Sequence, residues 1–449
     1  MNSVIIGAGH AGRLLASHLC RERHSVVMVD ESAEALEQAE ASLDVLTVCG
    51  SGADPAILEK AGAGRADLFV AVTDRDEINI IACLLAHSEG VPRKIARVGS
   101  AQYDPGAVKY NLTKLGIDLL INQKFACAKE ICNALLLPGA VESFDLFGGR
   151  VLVAGFGIVG GSPILGHTPA TLPDQDLVRK LRIIAIRRQG RLVIPRGDTA
   201  FLPEDVLYLV GAPDDIRVFS TWMDPVREAF EKVIVAGGGD IGLAIAKNLE
   251  RIGLHVVLLE QDEERALFCS GELDHTLVLR ADALSGSALD ETGIVPGTAF
   301  VAVTGDDEDN AMNCLMARKK GADFVVTQIA RTDYIPIMEN LGLVDRIISP
   351  YESITNAILH YLRSRDVRAA ALLHDLPGEL LEIELSPTSR YAGKRVSDIR
   401  FPSGSIVAVV QRGDGVLPAT GGLCFEAGDR LLIFADPAAV KKIQAMFRK

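Results

Sequence analysis

The sequence predicts an α/β protein with two Rossmann-like parallel-sheet domains, each followed by a small α+β lobe. Three observations carry this. The 449-residue chain matches itself at an offset near 230 residues, short apolar runs alternate with helical patterns in each copy, and a glycine-rich turn directly follows the first run of each copy. A chain of this length exceeds what one hydrophobic core ordinarily fills, so several compact domains are expected. Hydrophobic residues make up 48% and charged residues 23%, an ordinary globular composition that excludes a largely disordered chain.

In the first copy the spacing predicts strands at Ser3 to Ile6, Ser25 to Val29, Leu46 to Val48, Leu68 to Val72 and Lys94 to Val98. These runs are almost wholly apolar, as strands buried on both faces should be. Helices are predicted at Arg13 to Arg23, Ala33 to Ala41, Pro55 to Ala61 and Asn79 to Ser88. A last helix, Phe125 to Leu136, should end at Pro138-Gly139 and has its counterpart at Ser353 to Arg363. Each copy continues into closely spaced β-branched runs separated by Gly, Pro and Asp turns. In the first these include Ile183 to Arg187, Gln189-Gly190 and Glu204-Asp205. In the second, Ile406 to Gln411, Gly413-Asp414-Gly415 and Gly428-Asp429 correspond, and both patterns suggest a small sheet with one or two covering helices. The expected boundaries are 1–123 and 230–350 for the large domains, 124–140 and 351–368 for a crossover helix and linker, and 141–225 and 369–449 for the small lobes.

The first glycine loop is Gly7-Ala8-Gly9-His10-Ala11-Gly12, between the strand Val4-Ile5-Ile6 and a helix with an apolar face. In that order Gly7 permits the tight turn, Gly9 lets a pyrophosphate approach the backbone, and Gly12 lets the helix pack closely on the sheet. The free helix N–H groups then point at the phosphates. Asp30 ends the second strand, 18 residues after Gly12, where its carboxylate can accept from ribose hydroxyls and repel a 2′-phosphate. NAD(H) or ATP/ADP therefore fits better than NADP. The second copy repeats the pattern in Gly237-Gly238-Gly239-Asp240-Ile241-Gly242, with Glu260 in the place of Asp30.

Thr73 and Asp74 follow the fourth strand at the edge where ligands of open α/β sheets bind, and Thr304 is the counterpart of Thr73. Thr73 also suits a helix N-cap. Arg97 lies between apolar Ala96 and Val98, so its guanidinium needs an anionic partner, a bound phosphate or an internal carboxylate. A third glycine pattern, Gly155-Phe156-Gly157-Ile158-Val159-Gly160, runs into Gly161-Ser162-Pro163, which cannot start a helix, and is assigned to strands and turns.

A net charge of −13 opposes nucleic-acid binding. The longest apolar runs fall far short of the roughly 20 residues a bilayer-spanning helix needs, and the opening Ser3-Val4-Ile5-Ile6 is no secretory leader. Eight cysteines without CxxC spacing or a nearby His cluster read as mostly buried, reduced thiols rather than a metal site. No triad, zincin helix or acid pair is in evidence, so no catalytic residue is assigned.

Taken together, Gly7 to Gly12, Val29-Asp30, Gly50-Ser51-Gly52, Ala66 to Thr73 with Asp76-Glu77-Ile78-Asn79, and Ile95-Ala96-Arg97-Val98 resemble the TrkA family, peripheral subunits of Trk-type potassium uptake built from tandem RCK domains. Ile186 to Thr199 is similar to the family's C-lobe signature, and Ser349-Pro350 to its crossover segment. The resemblance covers nearly the whole chain. It implies a cytoplasmic, non-enzymatic subunit on the inner face of the membrane, assembled as a dimer or tetramer into a ring. It further implies NAD(H) or ATP/ADP binding and a Trk/Ktr-type potassium-translocating partner. Departures from the pattern lie in the second copy: Asp240 sits in the glycine loop, Gln328 stands at the position of Arg97, and Arg331 follows three residues later. The first cleft is therefore expected to be the principal sensor. The competing readings are an NAD-dependent oxidoreductase with duplicated Rossmann domains and a regulatory module of another transporter.

Overall fold

A computed structural model describes residues 1–100, 103, 112–137, 139–223, 230–365, 369–372, 378–413 and 415–447. Pro138, Asp414 and the expected boundaries near 225 and 368 lie outside the described residues. The chain opens with strands β1 (Asn2–Ile6), β2 (Ser25–Asp30), β3 (Leu46–Cys49), β4 (Leu68–Ala71), β5 (Lys94–Val98) and β6 (Leu119–Asn122). Helices α1 (His10–Arg21), α2 (Ala33–Ser42), α3 (Pro55–Lys60) and α4 (Asp76–Ser88) connect them, and α5 (Gln123–Leu136) follows. The strands form one parallel sheet in the order β3-β2-β1-β4-β5-β6. Strand order therefore reverses between β1 and β4, which opens a crevice at their carboxyl ends.

Two expectations need correction here. Helix α1 starts at His10 rather than Arg13, because the last glycine of the loop is already helical. A sixth strand, β6, was not anticipated; its apolar run Leu119-Leu120-Ile121 is only three residues long and mostly half-buried.

The chain then forms β7 (Ala140–Leu146), β8 (Val151–Gly157), α6 (Gln175–Lys180), β9 (Arg182–Arg188), β10 (Arg191–Val193), β11 (Val206–Gly211) and α7 (Pro213–Met223). These strands pair antiparallel in the order β10-β9-β11-β8-β7. The third glycine pattern lies partly in β8 and partly in the turns after it, as read: a Cβ on Gly155 would meet the Tyr208 ring at 2.9 Å. That glycine serves packing.

The second half repeats the plan. Its parallel sheet contains β12 (Lys232–Ala236), β13 (His255–Glu260), β14 (Leu277–Arg280), β15 (Thr298–Ala302), β16 (Phe324–Gln328) and β17 (Arg346–Ile348), again in the order β14-β13-β12-β15-β16-β17. Its helices are α8 (Asp240–Arg251), α9 (Glu263–Glu272), α10 (Gly286–Glu291), α11 (Asp307–Lys320), α12 (Ile335–Leu341) and α13 (Pro350–Arg365). The last lobe has β18 (Ala369–Leu372), β19 (Glu379–Glu384), β20 (Ser405–Arg412), β21 (Gly415–Pro418), β22 (Arg430–Ala435) and α14 (Pro437–Phe447).

Like associates with like. One compact unit comprises Met1–Cys132 with Phe230–Leu359, the other Asn133–Ala229 with His360–Lys449. Within the first unit α5 and α13 meet, and Ser353 Oγ donates to the largely buried Glu130 carboxyl. Ile131, Ile354 and Ile358 are all buried. Within the second unit Val153, Ile184 and Tyr208 share one core with Leu380, Ala408 and Phe434. Each small lobe is also pinned by the same two-pronged ion pair. Arg188 grips Asp205 at 2.8 and 2.7 Å, and Arg412 grips Asp429 at 2.8 and 2.9 Å, both aspartates being buried. A bidentate guanidinium–carboxylate pair fixes orientation as well as charge.

Candidate nucleotide site

The crevice at the switch point of the first sheet has a volume of about 430 Å³ and is lined by Gly7, Gly9, His10, Ala11, Asp30, Thr73, Asp74 and Arg97, among others. The three glycines differ in what they do. Gly7 has φ +106°, and a Cβ there would press within 3.1 Å of the Thr73 nitrogen. Gly12 packs so closely that a Cβ would lie 1.9 Å from the Gly7 carbonyl oxygen. Gly9, the N-cap of α1, has nothing within 4 Å of its Cβ direction, so its face is open. Gly12 and the buried Ala8 support the loop from beneath rather than line the crevice.

Asp30 ties the loop to the sheet: the Ala8 N–H donates to Oδ2 at 2.6 Å and the Ser32 N–H to Oδ1 at 2.8 Å. Carboxylate oxygens each accept more than one bond, so acceptor capacity remains for ribose hydroxyls. Opposite, Thr73 is held by Asn79: the Thr73 N–H and hydroxyl donate to Asn79 Oδ1 at 2.9 and 2.7 Å, and Asn79 Nδ2 donates to the carbonyls of Thr73 and Arg97. Thr73 is thus an anchor point, and the N-cap of α4 is Arg75. Arg97 donates to the carbonyls of Thr73 and Val72 at 3.2 and 3.4 Å, and among the described residues no carboxylate pairs with it. Burial pushes its guanidinium below the usual value, opposed by Tyr351, Asp74 and Asp76. The internal carboxylate foreseen as its alternative partner is not found among the described residues.

The second loop copies the backbone and differs in charge. Gly237 has φ +109°, and a Cβ on Gly242 would again lie 1.9 Å from the Gly237 carbonyl oxygen. Glu260 accepts from Gly238 at 2.7 Å and from Asp262 at 2.9 Å, as Asp30 does from Ala8 and Ser32. Thr304 is anchored by Asn310, whose Nδ2 also donates to the carbonyl of Gln328, so Gln328 stands where Arg97 does. Gly239 is the open N-cap of α8, and Ile241 is half-buried in its first turn.

Asp240 is neutralised from inside, by Lys124 at 2.6 Å and Arg265 at 2.9 Å. The Lys124 ammonium holds its carboxyl below the usual value, against partial burial. Arg331 does not substitute for Arg97; it pairs with Glu308 at 3.2 Å and bonds the Tyr334 hydroxyl at 2.7 Å.

Tyr351 was missed. It comes from α13 of the second half, lines the first crevice and stacks on His10 with ring centroids 5.2 Å apart and planes at 24°. Its neighbours in sequence, Ser349-Pro350, mark a helix start and the crossover segment but do not point to this crevice. Asn79 and Asn310 did leave a signal, since they recur at equivalent places in the two copies. The eight cysteines are free; Cys83, Cys127, Cys132, Cys269 and Cys314 are buried, and Cys49 and Cys424 are exposed. Among the described residues no cluster could hold a metal ion and no helix is long and apolar enough to cross a membrane.

The TrkA-N domain model matches residues 3–123 and 233–350, and the TrkA-C domain model residues 154–224 and 380–448. The Trk system potassium uptake protein TrkA of Halomonas elongata is 32% identical over 453 residues, covering 100% of this chain and 99% of the relative. That of Azorhizobium caulinodans is 31% identical with the same coverage. Among solved structures, the GsuK RCK domain superposes with a TM-score of 0.61 at 20% identity over 99% of this chain and 94% of that one. The GsuK channel bound to NAD gives 0.62 at 21% identity, over 99% of this chain and 78% of that one. With both domain models matching twice along the chain and relatives aligned end to end, the chain belongs to the TrkA family of Trk system potassium uptake proteins.

Proposed function

We propose that this chain is a non-catalytic regulatory subunit of Trk-type potassium uptake that binds NAD(H), or ATP/ADP, in its first crevice. Ligand binding there alters the lobes and thereby the membrane potassium-translocating subunit, to which the chain attaches on the cytoplasmic face as a ring-forming dimer or tetramer. The observation that carries the reading is the composition of the crevice. A helix N-terminus without a first-turn acid opens beside Gly9, a carboxylate able to accept from ribose hydroxyls stands on one side, and a half-buried arginine with no carboxylate partner among the described residues stands on the other. Helix N–H groups and an arginine favour a diphosphate, and Asp30 disfavours an added 2′-phosphate. The relatives' role in potassium uptake and the NAD named for the GsuK channel agree with this reading.

The test is calorimetric titration of the full chain with NADH, NAD, ATP, ADP and NADPH. Asp30→Ala and Arg97→Ala should each cost about 1.5–3 kcal/mol of binding, the worth of a hydrogen bond to a charged group, without unfolding the chain. NADPH should bind more weakly than NADH. Unchanged affinity in both folded variants would count against the site. Copurification from native membranes with a potassium-translocating subunit tests the partner.

A further inference from the structure

The first crevice runs across the sheet in a fixed order. On the β2–β3 side it is bounded by Asp30, Ala35 and Gly52, at its centre by the start of α1, and on the β4–β5 side by Thr73, Arg97 and Tyr351. A diphosphate held at the helix start, with its first ribose on Asp30, directs any further group toward β4 and β5. There the ring of Tyr351 stacks on His10 beside Arg97.

We propose that Tyr351, supplied by the other half of the chain, is a specificity-determining residue of this crevice, favouring a dinucleotide over a nucleoside diphosphate. This rests on the nucleotide reading above. A nucleoside diphosphate ends at the helix start and leaves the aromatic wall untouched. A dinucleotide carries a second ribose and a flat ring past the diphosphate, where the His10–Tyr351 pair offers an aromatic surface. At the equivalent seam of the other half a charged pair stands in place of this wall. Lys124 occupies the second position of α5 as Tyr351 does of α13, and it is tied to Asp240, the counterpart of His10.

The experiment titrates the full chain with NADH and with ADP in four forms: wild type, Tyr351→Ala, Tyr351→Phe and Asp30→Ala. Tyr351→Ala should weaken NADH by about three- to tenfold, the range of an aromatic pair, and leave ADP within about twofold. Tyr351→Phe should keep NADH affinity, because the ring forms the wall. Asp30→Ala should weaken both ligands. Equal loss of NADH and ADP in Tyr351→Ala, no loss of either, or a Phe variant as weak as the Ala variant would overturn the assignment. A wild-type chain that binds neither ligand would overturn the nucleotide reading and this assignment with it, whereas wild-type binding of both separates the two.

Discussion

A methyl group on Gly12 would lie 1.9 Å from the Gly7 carbonyl oxygen, while one on Gly9 would meet nothing within 4 Å. The two substitutions should therefore part company. Gly12→Ala should destabilise the chain by roughly 1–3 kcal/mol or more, because backbone on both sides has to yield. Gly9→Ala should change stability by less than about 1 kcal/mol, the difference between glycine and alanine as an N-cap, yet place a methyl where the ligand's diphosphate has to come. Urea denaturation and nucleotide titration of both variants separate these outcomes, and an unchanged midpoint for Gly12→Ala would refute the close packing. Both glycines were legible because strand, loop and helix follow one another within a few residues. Asp30, Thr73 and Arg97 were legible for a related reason: each ends or follows a strand, and a parallel sheet brings such positions to one edge. Tyr351 left no comparable trace. Nothing local says which edge a residue of α13 will reach, since only the pairing of the two large lobes brings it there.

Among the elements, α5 meets two acids that should respond to pH in opposite ways: its own Glu130, buried against α13, and Asp240 at the start of α8, which pairs with Lys124 of α5. Burial pushes the Glu130 carboxyl up, against hydrogen bonds donated by Ser353 and Asn356. The native chain then holds a proton that the unfolded chain has released, so stability falls as pH rises from the ordinary glutamate value, about 4.3, through the native one. Asp240 is shifted down by its bond to Lys124, so its contribution is present above the ordinary aspartate value, about 3.9, and is lost as pH falls through the native one. Its effect should be the smaller, since the pair is largely exposed and screened by solvent. Melting temperatures across a pH series check this. Glu130→Gln should gain on the wild type as pH rises from about 4 to 7, and Asp240→Asn should fall below it near neutrality and converge with it in acid. Parallel curves for Glu130→Gln and wild type would mean that Glu130 is solvated. The elements themselves were readable where apolar runs alternate strongly. They were misread where a helix starts inside a glycine loop, as α1 does at His10, or where a strand is as short and half-buried as β6.

Across the molecule, the order large, small, large, small along the chain gives no hint that the large lobes pair with each other and the small lobes likewise. This bears on how inequality of the two crevices has to be tested. Residues 1–225 and 226–449 expressed apart would expose the core that Tyr208 and Phe434 share, so the full chain is the proper sample. The physical case for inequality is stronger than a count of charges. Ser32 caps α2 and Asp262 caps α9, and three residues on, Ala35 lines the first crevice where the second half has Arg265. That guanidinium pairs with Asp240 at 2.9 Å and donates to the Gly238 carbonyl, as Arg13 does to the Ala8 carbonyl in the first loop, so the ion pair is what sets the second loop apart. Gln328 removes the cation that Arg97 provides, and Arg331 is committed to Glu308. Loss of the charge-assisted bond that Arg97 offers, at a helix start already occupied by the Asp240 ion pairs, should cost more than about tenfold in affinity. Calorimetry with NADH should therefore give close to one tight site per chain. Asp30→Ala should remove most of that binding, while Glu260→Ala, if its melting temperature is retained, should leave affinity within about twofold. Two equal sites, or tight binding that survives Asp30→Ala and is lost in Glu260→Ala, would assign the sensor to the second half.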